Sequence, residues 1–400
     1  MQGSENVRGI EGSATLAIAA LCRELRAQGR EVIDLGVGEP DFRTPDFVAA
    51  AGIASIEQGF TQYTPVPGIP ELRKAIAARI KADTRHPARA EGVVVSTGAK
   101  QALFNSCFFL FGPGDRVLIP TPYWTSYPAL VKLARAESVI VRTEPERGFK
   151  LSIADLNAHY DQSVRGLIIN SPSNPAGTVY TLAELEAIVR WAKERDVWVI
   201  SDEIYSRICF TSDRAPGLLD LDDSLLDKVV VVDGASKAFA MTGWRLGYSY
   251  SRPEVARELA SLQSQITSNA AAASQYAALA AYQEDVRARE SIRAMVRIFQ
   301  QRRDKVLVQL ATELPRAVPA PPDGAFFIFL RVDAYYDDEL RDSASFCSWL
   351  LDQTGVALVP GSAFGDDRFV RLSLAAPNAA LAEAVRRAGD VLEKRVALSA

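Results

Sequence analysis

Lys237 and Arg245 stand eight positions apart in the segment GASKAFAMTGWRLG, residues 234–247, directly after the apolar run VVVV at 229–232. A lysine amine can form a Schiff base with an aldehyde, and an arginine can hold a phosphate through charge-assisted hydrogen bonds. The pair therefore predicts a site for an aldehyde cofactor and a phosphate. The alternative is a surface loop with two ordinary cations.

Polar, glycine-rich or aromatic clusters follow the apolar runs that predict strands. Ligands of open α/β sheets bind beyond the carboxyl ends of the strands, so we expect these clusters to meet at one edge of a sheet. A single cluster could be an ordinary turn, but five together indicate a ligand site. They are STGAKQ at 96–101, TPYW at 121–124, NSPSNPAG at 170–177, SDEIY at 201–205 and GASK at 234–237.

Asp202 directly follows the apolar run VWVIS. A pyridoxal phosphate cofactor acts as an electron sink only while its ring nitrogen stays protonated, and a nearby carboxylate stabilises that charge. Tyr205, three residues later, and the amide of Asn174 can both bind the ring oxygen of such a cofactor. Taken alone, Asp202 would more readily be a helix N-cap or turn residue, and Tyr205 an ordinary half-buried aromatic.

Gly98, Ala99 and Lys100 open a predicted helix that begins near Gln101. Backbone amides at a helix N-terminus bind phosphate, which makes the amides of Ala99 and Lys100 candidates. Arg245 would then be the cationic clamp. The alternative for Gly98 is a plain turn glycine.

These residues resemble the class I aminotransferases, which are pyridoxal-phosphate enzymes, and the bacterial aspartate and prephenate aminotransferase branch most closely. Besides the segments above, matching blocks occur in the family's order at GVGEPDFRTP (36–45), QYTPVPGIPELR (62–73) and VRLSLA (370–375). The resemblance implies the fold-type I α/β structure. That fold has a mainly parallel seven-stranded sheet in a large cofactor domain and a smaller α+β domain.

The resemblance also implies the roles of the cofactor residues. Lys237 would hold pyridoxal 5'-phosphate as an internal aldimine and carry the proton between the substrate Cα and the cofactor carbon. Asp202 would pair with the pyridine nitrogen, and Tyr205 and Asn174 with the ring oxygen. Trp124, whose flat face suits stacking on a ring, would cover it. The expected catalytic residues are Lys237, Asp202 and Tyr205.

On the substrate side, the resemblance implies that Arg371 binds the α-carboxylate against the backbone of Gly38. Without the family pattern, Arg371 could equally be an arginine paired on a surface strand. Tyr63 would reach the phosphate of the neighbouring subunit, so a homodimer with shared active sites is expected. The residues expected to bind substrate are Thr15, Gly38, Lys100, Trp124, Asn174 and Arg371.

Two positions depart from the family pattern. Many relatives carry a phosphate-binding hydroxyl three residues before the lysine, where this chain has Gly234, so Ser236 is expected to make that contact. Some aspartate aminotransferases have a histidine behind the cofactor, where this chain has Tyr127. Both changes are expected to alter the ring's electronics or the phosphate affinity modestly.

The implied activity is transfer of an amino group from an L-amino acid to a 2-oxo acid by a ping-pong mechanism, with aspartate and 2-oxoglutarate favoured. Lys100 matches a position where the acidic-substrate branch carries a lysine for the distal carboxylate, and Thr15 matches an N-terminal residue that lines the same end of the site. As a flexible point charge, Lys100 suits aspartate, glutamate or the second carboxylate of prephenate. The alternative for Lys100 is a solvated side chain in the first turn of a helix.

Other functions remain as alternatives. The chain could be an aminotransferase for prephenate, aromatic or other amino acids, or a pyridoxal-phosphate lyase or synthase on the same fold. A transcription regulator is disfavoured because too few residues precede the cofactor domain for a DNA-binding module. A nicotinamide dehydrogenase is disfavoured because GVGEPD contains only a fragment of the GxGxxG fingerprint.

Strands and helices alternate along the chain, which is typical of a parallel sheet wrapped by helices. A helix over 181–195 carries Leu182 and four further apolar residues on one face, and Thr181 and Glu184 have capping-box spacing. The predicted strands are 93–96, 117–119, 167–170, 197–201, 229–232 and 246–249.

Beyond about residue 285 the pattern changes to a long charged helix followed by the runs GAFFIFL, VALVP and FVRLSL. This change indicates a second domain of α+β type. We expect residues 46–285 to form the large cofactor domain and residues 1–45 with 286–400 to form the small domain.

The composition is that of an ordinary globular protein, with 400 residues, 48% hydrophobic side chains and a formal net charge of −4. Since no block of like charges occurs, we expect small-molecule partners and neither a nucleic-acid nor a membrane surface. Four scattered cysteines without a CxxC pattern and two histidines predict no metal site and no disulfide framework. No leader pattern or membrane-spanning run is visible, so the cytoplasm is the default expectation.

Overall fold

The computed structural model describes residues 4–10, 12, 14–84 and 86–399. Their strands form a seven-stranded sheet, a four-stranded sheet and a short parallel pair. In chain order the strands are β1 (Ile33–Asp34), β2 (Val93–Ser96), β3 (Arg116–Pro120), β4 (Glu137–Val141), β5 (Val164–Asn170), β6 (Trp198–Asp202), β7 (Val229–Gly234), β8 (Gly247–Tyr250), β9 (Val318–Ala320), β10 (Phe327–Arg331), β11 (Val356–Ala357), β12 (Val359–Pro360) and β13 (Phe369–Ser373).

The large sheet has the strand order β2-β8-β7-β6-β5-β3-β4. Neighbouring strands are parallel except around β8, which runs antiparallel to both β2 and β7. Successive side chains of β2 pack in different hydrophobic clusters, Val93 and Val95 in one and Val94 in the other. Both faces are therefore covered, as parallel sheets require. The predicted α/β class with a mainly parallel seven-stranded sheet is confirmed.

All six predicted strands are present, with ends shifted by no more than three residues. The strand β4 was not predicted from its own sequence, ESVIV. It lies at the edge of the sheet, and Glu137 and Ile140 are exposed. An edge strand lacks the continuous apolar run that marks the buried strands, so the signal is weak.

The helices of the described residues surround these sheets. They are α1 (Ala14–Ala27), α2 (Asp46–Glu57), α3 (Pro70–Asp83), α4 (Ala99–Leu110), α5 (Tyr127–Leu133), α6 (Ile153–His159), α7 (Leu182–Glu194), α8 (Ala235–Ala238), α9 (Pro253–Ser264), α10 (Ala272–Gln283), α11 (Asp285–Glu313), α12 (Ser343–Thr354) and α13 (Asn378–Ser399). None of these helices is long and apolar enough to cross a membrane.

The helix predicted over 181–195 is α7, and its capping box is present. The Glu184 amide donates to the Thr181 hydroxyl oxygen at 3.3 Å, and the Thr181 amide donates to the Glu184 carboxylate at 2.7 Å. Four of the five predicted apolar residues are buried. Leu182 is the exception at 40% exposed, because it is the first residue of the helix and lies outside the packed face.

The long helix α11 joins two hydrophobic clusters. Ala288 and Ile292 pack in a cluster of the large sheet, whereas Met295, Phe299 and Val306 pack in a second cluster. This second cluster includes side chains of α12, α13 and the antiparallel four-stranded sheet, whose order is β12-β13-β10-β9. The chain beyond 285 is thus of α+β type within the described residues, which exclude residues 1–3, 11, 13 and 400 of the expected small domain.

Candidate active site

The five polar clusters lie at the carboxyl ends of strands in the large sheet. Asp202 ends β6, and Lys237 stands in α8, directly after β7. The loop that carries Asn174 follows β5, and the segments with Gly98 and Trp124 follow β2 and β3. Since these strands run parallel, the clusters meet at one edge of the sheet, as the sequence predicts.

The amine of Lys237 contacts several of these segments. Its Nζ donates a hydrogen bond to the carbonyl oxygen of Gly38 at 2.5 Å. It also lies 5.7 Å from the ring centre of Tyr205 and 5.9 Å from that of Phe326. The amine is therefore held between an N-terminal backbone segment and an aromatic wall.

Burial lowers the pKa of Lys237 to about 8. The charge of Glu39 raises this pKa, those of Arg371 and Arg245 lower it, and that of Asp202 raises it. A lysine with such a pKa is neutral in an appreciable fraction of molecules near neutral pH. The neutral amine is the form that attacks a carbonyl carbon.

Asp202 is 4% exposed and has a hydrogen bond on each carboxylate oxygen. The phenol of Tyr127 donates to Oδ2 at 2.7 Å, and the amide of Ile204 donates to Oδ1 at 3.2 Å. Burial raises the pKa of Asp202 to about 6, although these bonds and the charge of Lys237 oppose the rise. A buried carboxylate without an adjacent ion-pair partner favours a bound cation.

Tyr205 and Asn174 lie near each other, and the Asn174 side chain lowers the pKa of the Tyr205 phenol slightly. The ring of Tyr205 is buried and packs edge-on against Phe326 at 5.6 Å. Burial raises the pKa of the Tyr205 phenol, so the hydroxyl stays protonated and can donate a hydrogen bond. The backbone N–H of Asn174 donates to Oδ1 of Asn170 at 2.8 Å, which fixes the loop that carries Asn174.

Arg371 is 1% exposed, in the middle of β13. Its guanidinium donates to the Gly36 carbonyl at 2.6 Å and to Oδ1 of Asn174 at 3.0 Å, and it lies 4.4 Å from the ring centre of Phe327. Its Nε has no hydrogen-bond partner, and no carboxylate of a described residue is paired with its guanidinium. Burial lowers the pKa of Arg371 to about 10. A buried guanidinium without a carboxylate partner favours an anionic ligand.

Gly98 lets the guanidinium of Arg245 approach the start of α4. Its φ is +81°, and a Cβ at this position would lie 2.5 Å from Nη2 of Arg245. The helix begins at Ala99, slightly earlier than predicted, so the amides of Ala99 and Lys100 belong to its first turn. Amides of a first turn have no partner within the helix, and an exposed arginine beside them completes an anion site.

Gly234 departs from the family pattern for a steric reason. A Cβ there would lie 2.7 Å from Cα of Gly247 and 2.9 Å from the carbonyl oxygen of Leu246, so β8 leaves no room for a side chain. Ser236 is buried in α8 beside Lys237. Its hydroxyl makes no hydrogen bond to another described residue, which suits the phosphate contact expected for it.

Lys100 and Trp124 are in contact. Nζ of Lys100 lies 4.9 Å from the ring centre of Trp124, a cation–π distance. Trp124 itself packs edge-on against Tyr127 at 5.4 Å. Partial burial and the charge of Arg245 lower the pKa of Lys100. Thr15 lies in the first turn of α1, and no hydrogen bond joins it to Lys100 among the described residues.

Tyr63 is not part of this cluster within one chain. It lies between α2 and α3 and is 92% exposed. Its hydroxyl has no hydrogen-bond partner among the described residues of its own chain. Such exposure is compatible with the expectation that Tyr63 acts in a neighbouring subunit.

Sequence reasoning missed two groups of contacts. It does not predict that the Gly38 carbonyl accepts from Lys237 or that the Gly36 carbonyl accepts from Arg371. The place of the Gly38 backbone against the substrate carboxylate stays a prediction. It also does not predict the two aromatic rings beside Arg371, which are those of Phe327 at 4.4 Å and Phe364 at 5.1 Å. The apolar run GAFFIFL indicates only the α+β region, although its two adjacent phenylalanines lie beside Lys237 and Arg371.

The sequence matches the family described as "Aminotransferase class I and II" over residues 30–388. Aspartate aminotransferase of Bacillus subtilis is 37% identical over 395 residues, which cover 98% of this chain and 100% of the relative. Aspartate/prephenate aminotransferase of Cereibacter sphaeroides is 38% identical over 391 residues, which cover 96% of this chain and 97% of the relative.

A solved structure of aspartate aminotransferase from Thermus thermophilus with maleate superposes with a TM-score of 0.92 at 36% identity. The match covers 98% of this chain and 100% of the other. Sequence and overall fold agree, and the chain belongs to the class I and II aminotransferases.

Proposed function

We propose that this aminotransferase binds pyridoxal 5'-phosphate at Lys237 and exchanges amino groups between an L-amino acid and a 2-oxo acid by a ping-pong mechanism. The observation that carries the proposal is the buried Arg371 guanidinium, which has an unpartnered Nε and lies near the Lys237 amine. A cation placed in this way can bind an α-carboxylate while the amine acts at the adjacent Cα.

The residues present fit the cofactor that the family implies. The glycine at 98 opens a cradle beside Arg245 and the α4 amides that suits a phosphate. Asp202 is a buried carboxylate for a pyridine nitrogen, and Tyr205 with Asn174 provides donors for a ring oxygen. When bound, pyridoxal phosphate supplies a sink for the electrons released at the substrate Cα.

The chain's own residues handle the proton and the substrate. Because burial lowers the pKa of Lys237 to about 8, its amine can take a proton from Cα and return it. Asp202 would stabilise a positive charge on the pyridine nitrogen of the bound cofactor. Arg371 fixes the α-carboxylate, which sets the orientation of Cα towards Lys237. The catalytic roles are thus proposed for Lys237, Asp202 and Tyr205, whose hydroxyl would bind the ring oxygen.

For the substrates we propose aspartate as the amino donor and 2-oxoglutarate as the acceptor. Lys100 is an exposed cation at the start of α4, beside Trp124, and a second carboxylate of the substrate could bind there. Thr15 would line the same end. The names of the Bacillus and Thermus relatives, and the dicarboxylate maleate named with the latter, support an acidic substrate.

Prephenate is the second candidate for the acceptor. It also carries two carboxylates, and the Cereibacter relative is named an aspartate/prephenate aminotransferase. Lys100 is a point charge on a flexible stem and does not discriminate strongly between dicarboxylates of different length. A keto-acid screen that includes prephenate therefore belongs to the functional test.

A homodimer with shared active sites is also proposed. Tyr63 would reach the phosphate site of the neighbouring subunit, since it is 92% exposed in a single chain. Nearby in sequence, Ile53, Ile56 and Phe60 are 56%, 57% and 43% exposed. Large apolar side chains exposed close together favour burial against a partner surface. Within each subunit we propose residues 46–285 as the large domain and residues 1–45 with 286–400 as the small domain.

The test is a stopped-flow screen of the loaded enzyme against single amino acids, in which the visible absorbance of the cofactor reports amino transfer. We expect aspartate and glutamate to bleach this absorbance fastest and 2-oxoglutarate to restore it. A lyase or synthase would instead form product from one amino acid without a keto acid. Turnover without any keto acid would therefore refute the proposal.

A further inference from the structure

A segment without regular secondary structure, residues 36–42, covers the two cations of the site. We call it the strap. Its Gly36 carbonyl accepts from Arg371 at 2.6 Å, and its Gly38 carbonyl accepts from Lys237 at 2.5 Å. The position of the strap therefore sets the surroundings of both the amine and the carboxylate-binding guanidinium.

The strap is not held by a backbone ladder. Leu35 pairs with Ala357 and Ser373 through its amide and carbonyl, and the next backbone pairing is at Pro45. Among the described residues, no backbone–backbone hydrogen bond involves residues 36–44. Its position must therefore be maintained by side chains.

Arg302 of α11 provides the strongest of these side-chain contacts. Its guanidinium donates to both carboxylate oxygens of Asp41, at 2.7 and 2.8 Å, and it lies 5.5 Å from the ring centre of Phe42. Phe42 packs edge-on against Phe299, one turn before Arg302, at 5.3 Å. Arg302 is only 7% exposed, so this fork is largely shielded from water.

The same guanidinium also contacts the residue that directly follows the strand of Arg371. Nη1 of Arg302 donates to the carbonyl of Leu374 at 3.1 Å, three residues beyond Arg371 in the chain. One side chain thus links the strap to the end of β13. A planar, two-point arginine contact fixes relative position as well as distance, which a lysine cannot do.

We propose that Arg302 and Asp41 form a positioning pair for the α-carboxylate site. The pair holds the strap against β13, so that the carbonyls of Gly36 and Gly38 stay aligned with Arg371 and Lys237. Neither Arg302 nor Asp41 contacts Lys237 or Arg371 directly in the structure, and both act through the strap. The inference rests on the proposed function in one respect, namely that Arg371 binds the substrate carboxylate.

The test compares Asp41→Asn with Asp333→Asn. The control removes the charge from a second two-point pair, in which Arg331 donates to Asp333 at 2.8 and 2.8 Å. The two aspartates are similarly exposed, at 25% and 27%, whereas the side chain of Arg302 is more buried than that of Arg331, at 9% against 37%. Arg302→Lys is a second variant, which keeps the charge and loses the fork.

Hydrogen exchange at the start of the strap, followed by mass spectrometry with and without cofactor, is the first measurement. There the Leu35 amide donates to the Ala357 carbonyl at 3.0 Å and the Gly36 amide to Oδ1 of Asp34 at 2.9 Å, so both amides have protection to lose. We expect about tenfold faster exchange in Asp41→Asn and Arg302→Lys and no change in the control. The second measurement is steady-state kinetics, in which KM for the amino donor and the keto acid should rise about tenfold while kcat stays within about twofold.

Unchanged strap exchange in both variants would overturn the inference, as would a lower kcat at unchanged KM. A thermal melt of each variant establishes that it is folded. The exchange experiment needs no turnover, so it separates failure of this inference from failure of the proposed function.

Discussion

Tyr127 donates its phenolic hydrogen to Oδ2 of Asp202 over 2.7 Å, and both side chains are nearly inaccessible to water. Burial raises the pKa of Tyr127 well above its ordinary value, and the neighbouring Asp202 charge raises it further. The phenol is therefore a neutral donor at every working pH. A histidine in its place would change its own charge within that range.

Tyr127→Phe should shift the acid limb of the kcat/KM profile to higher pH. The bond from Tyr127 stabilises the ionised form of Asp202, so its loss raises the pKa of Asp202 further above about 6. Removal of a hydrogen bond to a charged group corresponds to a shift of about one pH unit. Tyr123→Phe is the control, because Tyr123 makes no hydrogen bond to Asp202.

Asp202→Asn removes the charge of Asp202 altogether and should therefore have a larger effect on activity than Tyr127→Phe. It preserves the shape and removes the charge, so we expect a loss of about 100-fold or more in kcat at every pH. A Tyr127→Phe profile that superposes on wild type, or near-normal turnover by a fully loaded Asp202→Asn enzyme, would contradict the role of this pair.

Lys237→Ala should abolish both covalent attachment of the cofactor and turnover, because the amine and the base are the same group. We expect kcat to fall by about three orders of magnitude or more. Borohydride reduction of the loaded wild-type enzyme, followed by peptide mapping, checks the assignment directly. A pyridoxyl group on Lys100 or any other lysine would refute it.

The lowered pKa of Lys237 predicts how the apoenzyme takes up its cofactor. With a pKa of about 8, about one tenth of the amine is neutral at pH 7. The loading rate should therefore rise with pH and level off above about 8. Parallel measurements with a free alkylamine correct for titration of the cofactor itself. A loading rate that follows the free amine up to about pH 10 would contradict the lowered pKa.

The sheet and its ligand edge could be predicted because their signals are local in sequence. Asp202 directly follows a buried apolar run, and Lys237 lies close behind another, so chain direction alone places both at the same edge. The contact between Arg371 and the Gly36 carbonyl joins residues 335 positions apart. The bond from Tyr127 to Asp202 spans 75 positions. No local pattern encodes such pairings, because they depend on how the elements pack in three dimensions.

Glu203 follows Asp202 in the chain and has no part in the proposed chemistry. Burial raises its pKa to about 7, against hydrogen bonds from the Leu218 amide and the Ser201 hydroxyl. The folded state therefore binds this proton more tightly than the unfolded chain. The contribution of the protonated Glu203 to the stability of the folded state is complete below about pH 4.5. It is lost as the pH rises through about 7.

Glu203→Gln cannot ionise, so its stability relative to wild type should increase between about pH 5 and pH 8, by up to about 3 kcal/mol. Urea unfolding of the apoenzyme at the two pH values measures the difference. The exposed Glu258→Gln is the control. Equal stability differences at both pH values would show that Glu203 is ionised throughout.

Arg371→Ala and Lys100→Ala should separate general from selective substrate binding. Arg371 would bind the α-carboxylate of every donor, and removing a two-point, charge-assisted interaction from a buried site costs about 2–5 kcal/mol. We therefore expect kcat/KM to fall by a factor of about 30 or more for all donors alike. The measurement is kcat/KM for one acidic and one neutral donor in wild type and both variants.

Lys100→Ala should instead lower kcat/KM for aspartate and glutamate and spare alanine and phenylalanine. An exposed cation that binds only the distal carboxylate contributes up to about fivefold to the preference for acidic donors. The neutral donor therefore serves as the internal control for damage to the phosphate site, since the Lys100 amide stays in place. If kcat/KM falls by the same factor for both donors, Lys100 serves the cofactor phosphate or the fold. The acidic substrate would then have to be abandoned, while the assignment of Arg371 and the aminotransferase activity would stand.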